Sequence, residues 1–99
     1  MPSNGVFITF EGIEGSGKTS QIGRLADVLR SRGHTVVVTR EPGGCPIADA
    51  IRRILLDPDN SALAAKAELL LYAAARAQHV EEVIRPALAA GKIVIDIGE

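Results

Sequence analysis

Eight consecutive residues carry the clearest chemistry in the chain: Gly12, Ile13, Glu14, Gly15, Ser16, Gly17, Lys18 and Thr19. They match the phosphate-binding loop pattern G-x-x-x-x-G-K-[ST] at every fixed position. A polyphosphate needs hydrogen-bond donors that approach closely, with no bulky side chain between. Gly12, Gly15 and Gly17 leave their amides bare and can take backbone angles that other residues avoid. With the positive end of a following helix, such amides form an anion cradle. Lys18 can reach the terminal phosphates, and the Thr19 hydroxyl can hold Mg²⁺. Ser20 follows directly and joins the cofactor-binding set. The plainer alternative, a glycine-rich turn, has to explain an eight-residue pattern matched at all its fixed positions in the right setting.

That setting is legible on both sides. Val6–Phe10 is an apolar run with β-branched and aromatic residues, which predicts a buried strand. After the loop, Ile22, Leu25, Ala26 and Leu29 fall at i, i+3, i+4 and i+7, one face of a helix from Lys18 to about Arg32. Gly33 is placed to end it as a left-handed cap, and His34 reads as an exposed turn residue. Thr35–Thr39 predicts a second strand, and a strand–helix–strand unit implies a parallel pair with a right-handed crossover. Arg40-Glu41-Pro42-Gly43-Gly44 then form a tight, shaped loop. Ligands of open parallel sheets bind beyond the carboxyl ends of the strands, so this loop shares an edge with the phosphate loop. A solvated charge pair is the plainer reading of Arg40 and Glu41.

The second helix is expected over Ile47–Leu56, with Ile47, Ile51, Ile54 and Leu55 inward and Arg52 and Arg53 off that face. Asp57-Pro58-Asp59-Asn60 breaks it, and Asn60 or Ser61 can cap a third helix over Ala62–Ala77. Tyr72 and Arg76 are i, i+4 neighbours there. Val80–Ala90 continues helically, with a kink or restart near Ile84–Arg85 forced by Pro86. Gly91 caps the end. Lys92–Asp96 predicts a third strand. Its terminal Asp96 fits the apolar-run-then-Asp pattern that supports Mg²⁺, although acids are common at strand ends. Strands alternating with helices behind a phosphate loop predict an α/β, P-loop NTPase three-layer sandwich with a parallel sheet.

Composition narrows the function classes. The chain has 99 residues, 46% of them apolar, a net charge of −1 and only three aromatics. That is one small domain whose core is aliphatic. The charge balance argues against a nonspecific grip on nucleic acid or an acidic membrane. The single Cys45 excludes an intrachain disulfide and reads as a small loop residue rather than a reactive thiol. No signal peptide or membrane helix is expected, which points to the cytoplasm.

Four blocks together resemble bacterial thymidylate kinase: Phe10–Thr19, Thr39-Arg40-Glu41-Pro42-Gly43-Gly44, Leu69–Arg76, and Ile84-Arg85-Pro86-Ala87-Leu88 with Gly91-Lys92. The resemblance runs from about Val6 to Ile95. It implies phosphoryl transfer from ATP to dTMP with Mg²⁺, in a family that is typically homodimeric. Carried over by position, Lys18 and Glu14 would be the catalytic residues, and residues 12–20 would hold ATP. Glu41, Pro42, Arg52, Tyr72 and Arg76 would hold dTMP, with Tyr72 stacked on thymine and Arg76 on the base edge. A surface cation–π pair is the plainer reading of the last two. Thr19 and Asp96 would serve the metal.

The tail departs from the family. After Ile95 the family reads Cys-Asp-Arg and an aromatic, whereas here Asp96-Ile97-Gly98-Glu99 follow. The Asp comes one place early and the arginine is missing. The expectation is therefore the N-terminal portion of a nucleoside monophosphate kinase fold, 1–99 as one domain, without lid or later strands. Such a chain binds nucleotide, turns over poorly and can self-associate. Family strand order would place the third strand between the other two. Two alternatives stay open: another small P-loop kinase or NTPase, or a non-catalytic nucleotide-binding piece.

Overall fold

A computed structural model of the chain describes residues 5–11 and 18–98. The phosphate-loop residues Gly12, Ile13, Glu14, Gly15, Ser16 and Gly17 lie outside the described residues, as do the side chains of Lys18 and Thr19. The elements are β1 (Val6–Phe10), α1 (Lys18–Ser31), β2 (Val36–Arg40), α2 (Pro46–Leu56), a 3₁₀ turn (Pro58–Asn60), α3 (Ala65–His79), a π-helical segment (Val80–Ile84), α4 (Arg85–Ala89) and β3 (Ile93–Ile97).

The sheet is parallel with order β1-β3-β2. The central strand explains the rest. Val94 and Ile95 are neighbours on opposite faces, and both are fully buried, as a parallel strand covered on both sides requires. Ile93 and Ile95 face α1, packing with Ile22, Ala26 and Val36, and with Leu25 and Leu29. Val94 faces the other way, onto Ile84 and Ala87 with Val37, Val80 and Leu88. Each fully buried aliphatic side chain contributes about 1.5–3 kcal/mol. The result is three layers, helix–sheet–helix. No helix among the described residues is long and apolar enough to cross a membrane.

Both glycine stops work as read. Gly33 and Gly91 have positive φ. The Gly33 amide bonds to Arg30 O and the His34 amide to Leu29 O. At the other end, Gly91 bonds to Leu88 O and Lys92 to Ala87 O. This double bond pattern satisfies the last carbonyls of a helix.

Several expectations are corrected. The second and third strands each begin and end one residue later than read, because pairing between strands and not apolarity sets the ends. On α2 the inward face is Ala48, Ile51 and Leu55, while Ile47 and Ile54 are exposed. Ala48 is the residue small enough to let α2 approach Ala75 of α3. Neither Asn60 nor Ser61 caps α3, whose first turn has no side-chain cap at Ala64. Instead the Asn60 amide group donates to Ile54 O at the end of α2. The restart expected near Ile84–Arg85 is met, with α4 beginning at Arg85 next to Pro86. Pro86 lacks an N–H and crowds the carbonyl one turn back, and the helix widens just upstream, with the Arg85 amide reaching Val80 O.

The start of β1 is tightly held against α4. A Cβ on Gly5 would lie 2.6 Å from both Leu88 Cα and Lys92 O. Those are backbone atoms and cannot swing aside. Gly5→Ala should therefore cost about 1–3 kcal/mol, read as a lowered urea midpoint; an unchanged midpoint would show that β1 is not clamped there.

Candidate functional site

The loop after β2 is the anchor of the site. Gly43 and Gly44 have φ of +123° and +98°, a region costly for any side chain. The Gly44 amide donates to Asp49 Oδ1 at 3.1 Å, which ties the loop to the first turn of α2. The Glu41 amide donates to Ile97 O at 2.9 Å, which ties it to β3. The Glu41–Pro42 peptide is cis. Pro42 and Cys45 are buried, and burial pushes the Cys45 thiol pKa up.

From this loop the Glu41 carboxylate reaches two residues of α3. Its Oε2 accepts from Arg76 Nη2 at 2.7 Å and Nε at 3.2 Å. Its Oε1 lies 3.2 Å from His79 Nδ1. On the far side of the ring, His79 Nε2 lies 2.7 Å from Thr39 Oγ1. Burial alone would raise the Glu41 pKa, but the Arg76 and His79 hydrogen bonds and the Arg76 charge outweigh it and hold the carboxyl below its ordinary value.

Helix α3 presents two faces. Leu71, Ala75 and His79 sit at i, i+4 and i+8 and turn inward, with Ala75 and His79 fully buried. Tyr72 and Arg76 stand beside that seam and line a cleft of about 460 Å³ with Glu11, Glu41, Pro42, Leu69, Ala73 and Gly98. A space of this size suits a nucleoside-sized ligand. Four of the residues read as substrate-binding, Glu41, Pro42, Tyr72 and Arg76, thus come together at one cleft. Arg52 does not line it. It is half-buried behind the loop, its Cδ 3.4 Å from where a Gly43 Cβ would stand. Ser20 is exposed in the first turn of α1.

Asp96 lies on the face of β3 opposite α1. In register it pairs with Thr9 and Thr39, and it shares its sheet face with Val94. That face packs under the π segment and α4, whereas α1 covers the face of Ile95. Side chains alternate along a strand, so a carboxylate one place early changes sides. Asp96 is 3% exposed, and its Oδ1 has no hydrogen-bond partner. Burial and the nearby Glu41 charge raise its pKa to about 6. Asp96, read as a metal residue with Thr19, stands with Glu41 and His79 on the face of β3 away from α1.

His79 and Thr39 were not singled out in the sequence. His79 had a signal: it lies three residues after Arg76 and seven after Tyr72, on the same helix. It was missed because the third helix was read as ending at Ala77. Thr39 follows the three valines of β2 directly, and Glu11 stands just beyond β1.

The Asp96 shift sets a pH dependence. The ordinary carboxyl value is 3.8 and the folded value is about 6. Between those values the folded chain binds more protons than the unfolded one, so this contribution is full below about 4 and lost as pH rises through about 6. Glu41 acts oppositely, stabilising above its ordinary value of 4.5 and losing that as pH falls. In chelator-treated protein, Asp96→Asn should stabilise by on the order of 1–3 kcal/mol at pH 8 and by almost nothing at pH 4. Thermal melts across that range read it; a gain independent of pH would contradict the assignment.

The family profile described as thymidylate kinase matches residues 10–96. The chain is 76% identical to the thymidylate kinase of Syntrophotalea carbinolica over 89 residues, 90% of this chain and 41% of that protein. It is 72% identical to that of Geobacter sulfurreducens over 91 residues, 92% of this chain and 43% of that protein. The crystal structure of thymidylate kinase from Ehrlichia chaffeensis superposes with a TM-score of 0.80 at 42% identity, covering 95% of this chain and 53% of that one. The chain thus spans about two fifths of the length of these curated relatives. The profile covers most of the chain, and the chain belongs to the thymidylate kinase family.

Proposed function

We propose that this chain supplies the phosphate loop and the acceptor pocket for phosphoryl transfer from ATP to dTMP. The observation that carries the reading is the shared cleft of Tyr72, Arg76, Glu41 and Pro42. Another P-loop kinase would not need an aromatic and an arginine one helical turn apart beside this loop. In the reaction, an oxygen of the dTMP phosphate attacks the γ-phosphorus, the β–γ bridging bond breaks, and ADP leaves with that oxygen. Bound Mg²⁺ neutralises phosphate charge.

The chain's own residues take these parts. Residues 12–20 hold the ATP phosphates through backbone amides, with Lys18 as the catalytic cation. Glu14 faces the acceptor sugar and phosphate. Thr19 remains the residue for the metal. The Tyr72 ring stacks on thymine, and Arg76, its guanidinium plane steadied by Glu41, meets the base edge. Arg52, behind Gly43, contributes positive charge toward the acceptor phosphate. Residues 1–99 act as one domain, in the cytoplasm with these small-molecule substrates.

A crossed pair of substitutions separates the two sites. Lys18→Ala should weaken ATP binding by about tenfold or more, ~1.4 kcal/mol, and leave dTMP binding intact. Tyr72→Ala should do the reverse. Calorimetric titration with each nucleotide checks both. Equal loss of both ligands in either variant, or no loss, overturns the assignment of roles.

Self-association is the second part of the reading. Among the described residues β1 is an edge strand, and Val6 and Phe7 on it are about half exposed. An apolar open edge templates pairing with a further strand, and a second copy can supply one. Sedimentation velocity should show mass rising with concentration, and Phe7→Lys should return it to the monomer; a monomer at all concentrations contradicts this.

A further inference from the structure

Behind the cleft lies a polar cluster of which the kinase reading uses only Glu41, and that through Oε2. Glu41, His79 and Asp96 each offer one ligand atom, and the three atoms lie within 4.8 Å of one another. We propose that they form a binding site for a divalent first-row transition-metal ion of the Zn²⁺ type, separate from the Mg²⁺ that accompanies ATP.

The arrangement of lone pairs is the first argument. In the tautomer protonated at Nε2, His79 donates to Thr39 Oγ1 at 2.7 Å and turns the Nδ1 lone pair on Glu41 Oε1, 3.2 Å away. Two acceptors at that range repel unless something positive stands between them. In the other tautomer Nδ1–H donates to Glu41, but Asp96 Oδ1 is still buried with no partner. A cation satisfies all three atoms together. Imidazoles that bind metals through one nitrogen donate the other N–H to an oxygen that orients the ring, and Thr39 Oγ1 stands in that position.

Charge is the second argument. Two carboxylates, Asp96 buried and Glu41 half-buried, share one guanidinium: Arg76 is held on Glu41 Oε2, which leaves Oε1 and Asp96 with His79 as their nearest neighbouring base. A divalent ion makes up the deficit. The donor set then selects the ion. Mg²⁺ and Ca²⁺ prefer oxygen ligands and, for Mg²⁺, several retained waters. One imidazole nitrogen with two carboxylates suits Zn²⁺ and its neighbours. Bonds of about 2.1 Å place tetrahedral ligand atoms about 3.4 Å apart, so modest carboxylate rotation closes the present spacing.

The surroundings are built to hold these groups still. A Cβ on Gly44 would lie 2.5 Å from the His79 ring and 2.7 Å from Thr39 Oγ1, so the loop backbone seals the cluster at glycine contact. A bound ion would join the loop after β2, strand β3 and the end of α3. Through Glu41 it would also fix Arg76 in the cleft.

The test uses the tag-free 99-residue chain, treated with chelator, with Co²⁺ as a visible probe. One Co²⁺ per chain should give ligand-field absorption that Zn²⁺ displaces and about tenfold excess Mg²⁺ does not. Asp96→Asn and His79→Gln should each weaken Co²⁺ binding by more than about tenfold, and Thr39→Val by up to about tenfold. Lys18→Ala should leave it unchanged, which separates this site from the phosphate loop and from the fate of the kinase reading. No Co²⁺ binding, or binding kept in Asp96→Asn, overturns the proposal; the cluster is then held by a proton alone. Should the variants not fold, proton NMR of the Co²⁺-loaded chain reads the ligand directly. Shifted ring protons that persist in His34→Asn belong to His79, and their absence overturns the proposal equally.

Discussion

The site depends on how one carboxylate is divided. Glu41 leaves β2 at the carboxyl edge of the sheet and spends its two oxygens on two residues of α3. Oε2 takes Arg76, which is mostly exposed, and Oε1 faces His79, which is fully buried. Arg76 and His79 are three residues apart, so one carboxylate can reach both only if α3 is held at a set rotation and depth. The pair with Arg76 is worth little as a surface ion pair. Its importance is geometric, because it couples the cleft wall to the buried His79 and thence to Thr39.

Strand parity is the second constraint. Along β3, Ile93 and Ile95 serve one layer, and Val94 and Asp96 the other. A single place in sequence therefore decides whether a carboxylate meets the helix that follows the phosphate loop or the helices across the sheet. Asp96 falls on the second side, next to Glu41 and His79. There it is buried and poorly compensated, which is why it holds its proton to about pH 6. The same residue type one position later would have entered a different chemistry.

The π segment and Pro86 set where α3 ends. An uninterrupted α-helix through Val80–Ile84 would carry Ile84 and Ala87 to another angle. The wider turn keeps both on Val94 while His79 stays over Thr39. Packing on the sheet and polar contact at its edge are thus satisfied by one continuous helical run.

Much of this was legible in the chain itself. The phosphate-loop pattern, the face formed by Ile22, Leu25, Ala26 and Leu29, and the caps at Gly33 and Gly91 are local, and each rests on residues within a few positions of one another. The Tyr72–Arg76 spacing was legible for the same reason. What sequence could not supply was contact across elements. Ile47 and Ile54 are as apolar as Ile51, yet only packing against Ala75 chose Ala48 and Ile51 as the inner face. Nothing near His79 announces Thr39, forty residues away, or Glu41, thirty-eight away. Asp96 reads as a strand-end acid in sequence, and its side of the sheet was decided only by the pairing register with Thr9 and Thr39. Periodicity is a property of neighbours along the chain, whereas register and burial belong to neighbours in space.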